Sequence, residues 1–168
     1  MNKKMEEAIN AQVNAEFWSA YLYLSMSADF EARGLKGMAN WFAVQFREEQ
    51  DHARILMDYV LSRGNRVTLA PIAAVPASWD SPLDAFEATL KHEQKVTALI
   101  NGLCRLAEEE KDFATSAKLI WFVNEQVEEE QTAQGIIDAL KLVGDDKVGV
   151  VMLDKELGAR AYAPATGK

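Results

Sequence analysis

The chain has 168 residues, 49% hydrophobic and 26% charged, with a formal net charge of -8. That length supports one domain with a full hydrophobic core. The acidic balance argues against nucleic acid as a main partner, since such binders carry a basic face, and it suits attraction of cations.

Four long segments show apolar residues spaced by three and four, the period of an amphipathic helix. The first runs from about Lys3 to Arg33 and stops at Gly34, a good C-terminal capping residue. The second starts after Leu35-Lys36-Gly37 and ends at Arg63, before Gly64-Asn65. An irregular stretch from Asn65 to Trp79 carries Pro71 and Pro76. The third helix opens at Ser81-Pro82-Leu83-Asp84, a capping serine followed by a proline in the first helical position, and continues to about Glu110. The fourth runs from about Phe113 to Val143 and ends at Gly144, and a short fifth is expected from Asp146 to Leu157. Residues 1–158 are expected to form one helical domain, and 159–168 a flexible tail.

The short first and third turns make two antiparallel helix pairs. An extended linker from Asn65 to Trp79 is long enough to run from one end of a bundle to the other. The expected fold is therefore all-α, a four-helix bundle with one long crossover between the second and third helices plus a short fifth helix. Cys104 is the only cysteine, which excludes an internal disulfide or a Cys-x-x-Cys metal site, and it is expected in the core. The N-terminal run Met1-Asn2-Lys3-Lys4-Met5-Glu6-Glu7 leads into an amphipathic pattern, and no apolar run is long enough for a bilayer. A cytoplasmic address with no membrane partner is expected.

Each apolar stripe is interrupted near mid-helix by a carboxylate: Glu16, Glu49, Glu93 and Glu129. Packing the helices brings all four to one level of the core. Buried, unpaired charges are costly, and four carboxylates repel one another, so something cationic must offset them. No lysine or arginine falls on these mid-helix positions, but His52 lies one turn from Glu49 at Glu-x-x-His spacing. Carboxylate oxygens with one imidazole suit iron, manganese or zinc, and several carboxylates suit a dinuclear site. Glu48, Glu125 and Glu128 flank the stripes and are either a third metal position or a solvated charge run; Glu130 reads as solvated. Tyr23, two turns from Glu16, either serves the site or is a core tyrosine with a satisfied hydroxyl. Trp121 reads as packing, and His92 as a surface or interface residue.

The segments Asn14-Ala15-Glu16, Glu48-Glu49-Gln50-Asp51-His52, Lys91-His92-Glu93-Gln94 and Asn124-Glu125-Gln126-Val127-Glu128-Glu129-Glu130, with Leu153-Asp154-Lys155-Glu156-Leu157 near the end, resemble bacterial non-haem ferritin. The resemblance implies an iron-storage cage of 24 identical subunits that oxidises Fe(II) with oxygen or hydrogen peroxide and holds a ferric oxyhydroxide mineral. It implies a first iron on Glu16, Glu49 and His52, with Glu49 bridging to a second on Glu93 and Glu129, Gln126 nearby. It implies a third site on Glu48, Glu125, Glu128 and Glu129, hence two to three ions per subunit, with Tyr23 beside the centre. The fourth helix carries Gln126-x-x-Glu129 where bacterioferritin has Glu-x-x-His, so no haem is expected. The rubredoxin-type cysteines of rubrerythrins are missing, and the fifth helix departs from the miniature DNA-protecting ferritins. A peroxide-consuming detoxifying relative and a storage shell without its own oxidation activity are the alternatives.

Overall fold

In the computed structural model, which describes residues 1–167, local capping starts most of the helices. Asn2 Oδ1 accepts from the Met5 amide and opens α1 (Lys3–Ala32). Ser81 Oγ accepts from the Asp84 amide and opens α3 (Pro82–Glu109), as the sequence predicts. The Asp112 carboxylate accepts from the Thr115 amide to open α4 (Phe113–Val143), and Asp146 does the same for α5 (Lys147–Leu157). Each bond satisfies an amide that the helix itself leaves free. α2 (Lys36–Ser62) has no such cap of its own; Asp154 of α5 supplies one, accepting from the Met38 amide at 2.8 Å.

The crossover shows its path through the partners it finds on α1. Asn10 binds Arg66 O and the Thr68 amide, and Asn14 donates to Ala70 O and Pro71 O. Trp18 reaches Ala74 O, Ser25 reaches Pro76 O, and Arg33 reaches Trp79 O. Residues 66–79 thus climb α1 from its first turns to its last, so α2 and α3 run parallel. The irregular backbone stays paired because α1 side chains accept or donate along its length. The fold is the one-crossover bundle expected from the sequence, and no strand occurs among the described residues.

Two apolar clusters fill the bundle. One gathers Phe30, Met38, Phe42, Phe86 and Leu140 with Leu153 and Leu157 of α5. The other gathers Met5, Ile9, Leu56, Val60, Ile100 and Leu119. Between them lies a buried polar layer. Cys104 is only partly buried and packs at the margin of the second cluster, a correction to the core position expected from its residue type.

α5 sits directly on the first turn of α2. A Cβ at Gly37 would lie 1.6 Å from Asp154 O, so only glycine permits this approach. The segment after α5 then follows α2 and reaches α4: Asn40 donates to Arg160 O, Tyr162 OH donates to Asp51, and Lys118 of α4 donates to Gly167 O. No helix among the described residues is long and apolar enough to cross a membrane.

Candidate metal centre

The polar layer is built by all four long helices. α1 contributes Gln12, Glu16 and Tyr23; α2 contributes Gln45, Glu49 and His52; α3 contributes Glu93; α4 contributes Gln126 and Glu129. Glu16 and Glu93 are 1% exposed, Glu49 and His52 2% and Glu129 7%, so all five ionisable groups are cut off from solvent. They share a layer because each sits mid-helix on the core-facing stripe.

Ligand atoms of Glu16, Glu49 and His52 lie within 4.8 Å of one another, and so do those of His52, Glu125 and Glu129. His52 therefore belongs to two clusters: Nδ1 is 3.4 Å from Glu49 Oε2, and Nε2 is 3.8 Å from Glu125 Oε1. Glu93 faces the second side of the layer. Tyr23 OH donates to its Oε1, and Gln126 Nε2 donates to its Oε2 at 3.1 Å. Glu48 turns to Arg160, with Arg160 Nη2 2.6 Å from Glu48 Oε2. Glu128 is exposed and joins neither cluster.

Burial pushes every carboxylate of the layer upward. Glu93 rises to about 8, through burial and then the charge of Glu129. Burial also raises Glu16, Glu49 and Glu129, opposed by His52 and by hydrogen bonds. His52 is driven the same way: burial opposes its charge, but Glu125, Glu49 and Glu16 outweigh it. Without a metal, burial thus favours the protonated form of these carboxyls. A divalent ion binding carboxylates must release those protons.

The unsatisfied atoms show where an ion fits. Glu16 Oε2 and His52 Nε2 are buried with no hydrogen-bond partner. Buried polar atoms are normally paired, so two free ligand atoms in a carboxylate-lined layer are donors for an ion. The set of carboxylate oxygens plus one imidazole fits iron, manganese or zinc.

Residues 6–143 match the model of the ferritin-like domain. The chain belongs to the ferritin family. It is 45% identical over 160 residues to the bacterial non-heme ferritin of Bacteroides fragilis, covering 95% of this chain and 99% of that one. Identity to the corresponding Staphylococcus saprophyticus protein is 38% over 162 residues, 96% of this chain and 97% of the other. Among solved structures, the open-pore ferritin of the hyperthermophilic archaeon Archaeoglobus fulgidus superposes with a TM-score of 0.95 at 50% identity, covering 96% and 99% of the two chains.

In this ferritin several residues around the layer escape the sequence pattern. Gln12 donates to Glu16 Oε1 at 2.9 Å, and Gln45 donates to Glu129 Oε2 at 2.9 Å. Each lies four residues before a core glutamate, Glu16 or Glu49, and that spacing was a usable signal. Trp121 packs edge-on to the His52 ring, 5.5 Å between centroids, and so covers that imidazole as well as filling space. His92 turns away from the layer but is not bare surface: it lies 2.7 Å from Ser19 Oγ and against the Trp18 ring. Burial, then Lys95, depresses it to about 4, so it is neutral. Glu130 is tied to Thr97 Oγ1 at 2.5 Å and is not simply solvated.

Proposed function

We propose that this protein stores iron, oxidising Fe(II) at a dinuclear centre within each subunit and depositing it as ferric oxyhydroxide inside a homo-oligomeric cage, in the cytoplasm. The observation that carries the reading is the buried group Glu16, Glu49 and His52, whose ligand atoms lie within 4.8 Å of one another with Glu16 Oε2 unpartnered, in a layer with four core carboxylates. In this reading Glu16, Glu49 and His52 take one Fe(II), while Glu93 and Glu129 take a second, with Gln126 alongside and Glu49 bridging. Glu48, Glu125 and Glu129 form an exit position, with the exposed Glu128 beside it, and 24 subunits make the cage.

The protein's part is position and charge. Fe(II) enters as the layer gives up its protons, and the freed carboxylates favour the higher charge of Fe(III). Two Fe(II) give up one electron each. Oxygen takes both with two protons and leaves as hydrogen peroxide, or hydrogen peroxide takes them and leaves as water. Tyr23 and Gln126 hold the Glu93 carboxylate in place meanwhile. The absence of a second histidine on α4 leaves the second position weaker, which suits an ion in transit.

Aerobic Fe(II) oxidation by the metal-free protein, beside Glu49→Ala, tests this. Rapid oxidation that saturates near two ions per chain in the native protein and collapses in the variant is expected. Equal initial rates in the two proteins contradict the assignment.

A further inference from the structure

The four long helices place no lysine or arginine in the carboxylate layer, yet a guanidinium reaches its edge from the end of the chain. Three residues beyond α5, the Arg160 guanidinium stacks 4.6 Å above the Trp41 ring and places Nη2 2.6 Å from Glu48 Oε2. Both side chains are largely covered, Arg160 24% and Glu48 19% exposed. Glu48 adjoins the bridging candidate Glu49 in sequence, and its field reaches Glu129, His52 and Glu125. The Arg160 charge is felt at Glu129 in turn.

The contact is built on both sides. Before it, Asn40 Nδ2 donates to Arg160 O at 3.0 Å. After it, Tyr162 OH and the Ala165 amide both donate to Asp51 Oδ2, at 2.8 and 3.0 Å, and the Arg47 guanidinium covers the Tyr162 ring. The guanidinium is thus tethered at high local concentration over Glu48. It offers Glu48 one close nitrogen and not the two-pronged grip that makes such pairs hard to break.

We propose that Arg160 is a tethered placeholder cation: in the metal-free chain it occupies the Glu48 side of the exit position, and an arriving divalent ion must displace it. This rests on the reading of Glu48, Glu125 and Glu129 as an exit position. Arg160 is a positioning residue, since it acts through Glu48. It lowers the affinity of the Glu48 side for an ion, because a site available only part of the time binds with an affinity reduced by that fraction. A divalent ion held by several carboxylates outcompetes a single guanidinium, so the weakening is graded and reversible. The strap so biases iron first to the buried pair and then outward.

Anaerobic calorimetric titration of the intact metal-free assembly with Zn(II), which is redox-inert, tests the proposal. Arg160→Ala, Arg160→Lys and Tyr162→Phe are titrated beside the native protein, with melting temperature and assembly size recorded for each. The native protein is expected to show tight uptake followed by a weaker event. Arg160→Ala tightens that weaker event about tenfold, roughly 1.4 kcal/mol, and leaves the tight uptake unchanged. Arg160→Lys restores the native value, and Tyr162→Phe, which loosens the strap but keeps the cation, tightens the weaker event by less than Arg160→Ala does. A weaker event equally strong or weaker in Arg160→Ala overturns the placeholder. Tight uptake with no further event in any protein overturns it too, while leaving the dinuclear reading intact. No uptake at all overturns both.

Discussion

His52 stands between two carboxylates, with Nδ1 3.4 Å from Glu49 and Nε2 3.8 Å from Glu125. The two carboxylate clusters therefore meet at one imidazole. Only one of its nitrogens can ligate an ion in the neutral ring while the other keeps its proton. Replacing Glu125 by Gln removes a charge from the Nε2 side and leaves the Glu49 side intact. Glu125→Gln is expected to keep the first single-turnover oxidation within about twofold and to slow later turnovers several-fold, as read by stopped-flow absorbance over repeated Fe(II) additions.

Removing one core carboxylate should stabilise the metal-free protein. Glu49 is buried beside Glu16 and Glu93, and its charge is offset only by protons and His52. Replacing buried ionic groups with apolar ones of similar size is often neutral or stabilising, by about 1–4 kcal/mol. Glu49→Leu is expected to raise the metal-free melting temperature and to abolish the further rise that Zn(II) produces in the native protein. A lower melting temperature in the variant counts against a strained, metal-ready layer.

The Tyr23 hydroxyl is a structural donor as well as a neighbour of the site. Tyr23→Phe leaves Glu93 Oε1 without its partner in a buried setting. An unsatisfied buried acceptor costs about 1–3 kcal/mol. The metal-free variant should unfold earlier in urea by that amount, with Zn(II) restoring part of the loss as the ion takes the place of the lost donor.

The metal-free protein should lose stability as pH rises. Glu93 titrates at about 8 and Glu48 at about 7, each against a usual 4.5. Between about 4.5 and those values the folded chain holds protons that the unfolded chain has released. Their contribution is fully present below 4.5 and is lost as pH passes through 7 and then 8. Metal binding needs the deprotonated ligands, so saturating Zn(II) should reverse the slope. Melting temperatures from pH 5 to 8.5, with and without Zn(II), check both signs.

The helices and the layer were legible because their signals are local or periodic. Ser81-Pro82 announces α3 by its own chemistry, and α4 runs from Phe113 to Val143 as its apolar spacing indicates. Glu16, Glu49, Glu93 and Glu129 stood out because each breaks an apolar stripe. Arg160 did not, because it lies beyond the last helix, where no period says which way a side chain turns. Its place over Glu48 depends on α5 docking against α2, which in turn needs the missing Cβ of Gly37. The partial cover of His92 was illegible for a related reason: it comes from Trp18 and Ser19 on another helix.

The most direct test of the central claim is anomalous diffraction at the iron edge from crystals soaked anaerobically in Fe(II). The account predicts two strong peaks inside the bundle, one among Glu16, Glu49 and His52 and the other among Glu49, Glu93 and Glu129. Iron found only on exposed carboxylates, with the buried layer empty, would contradict it.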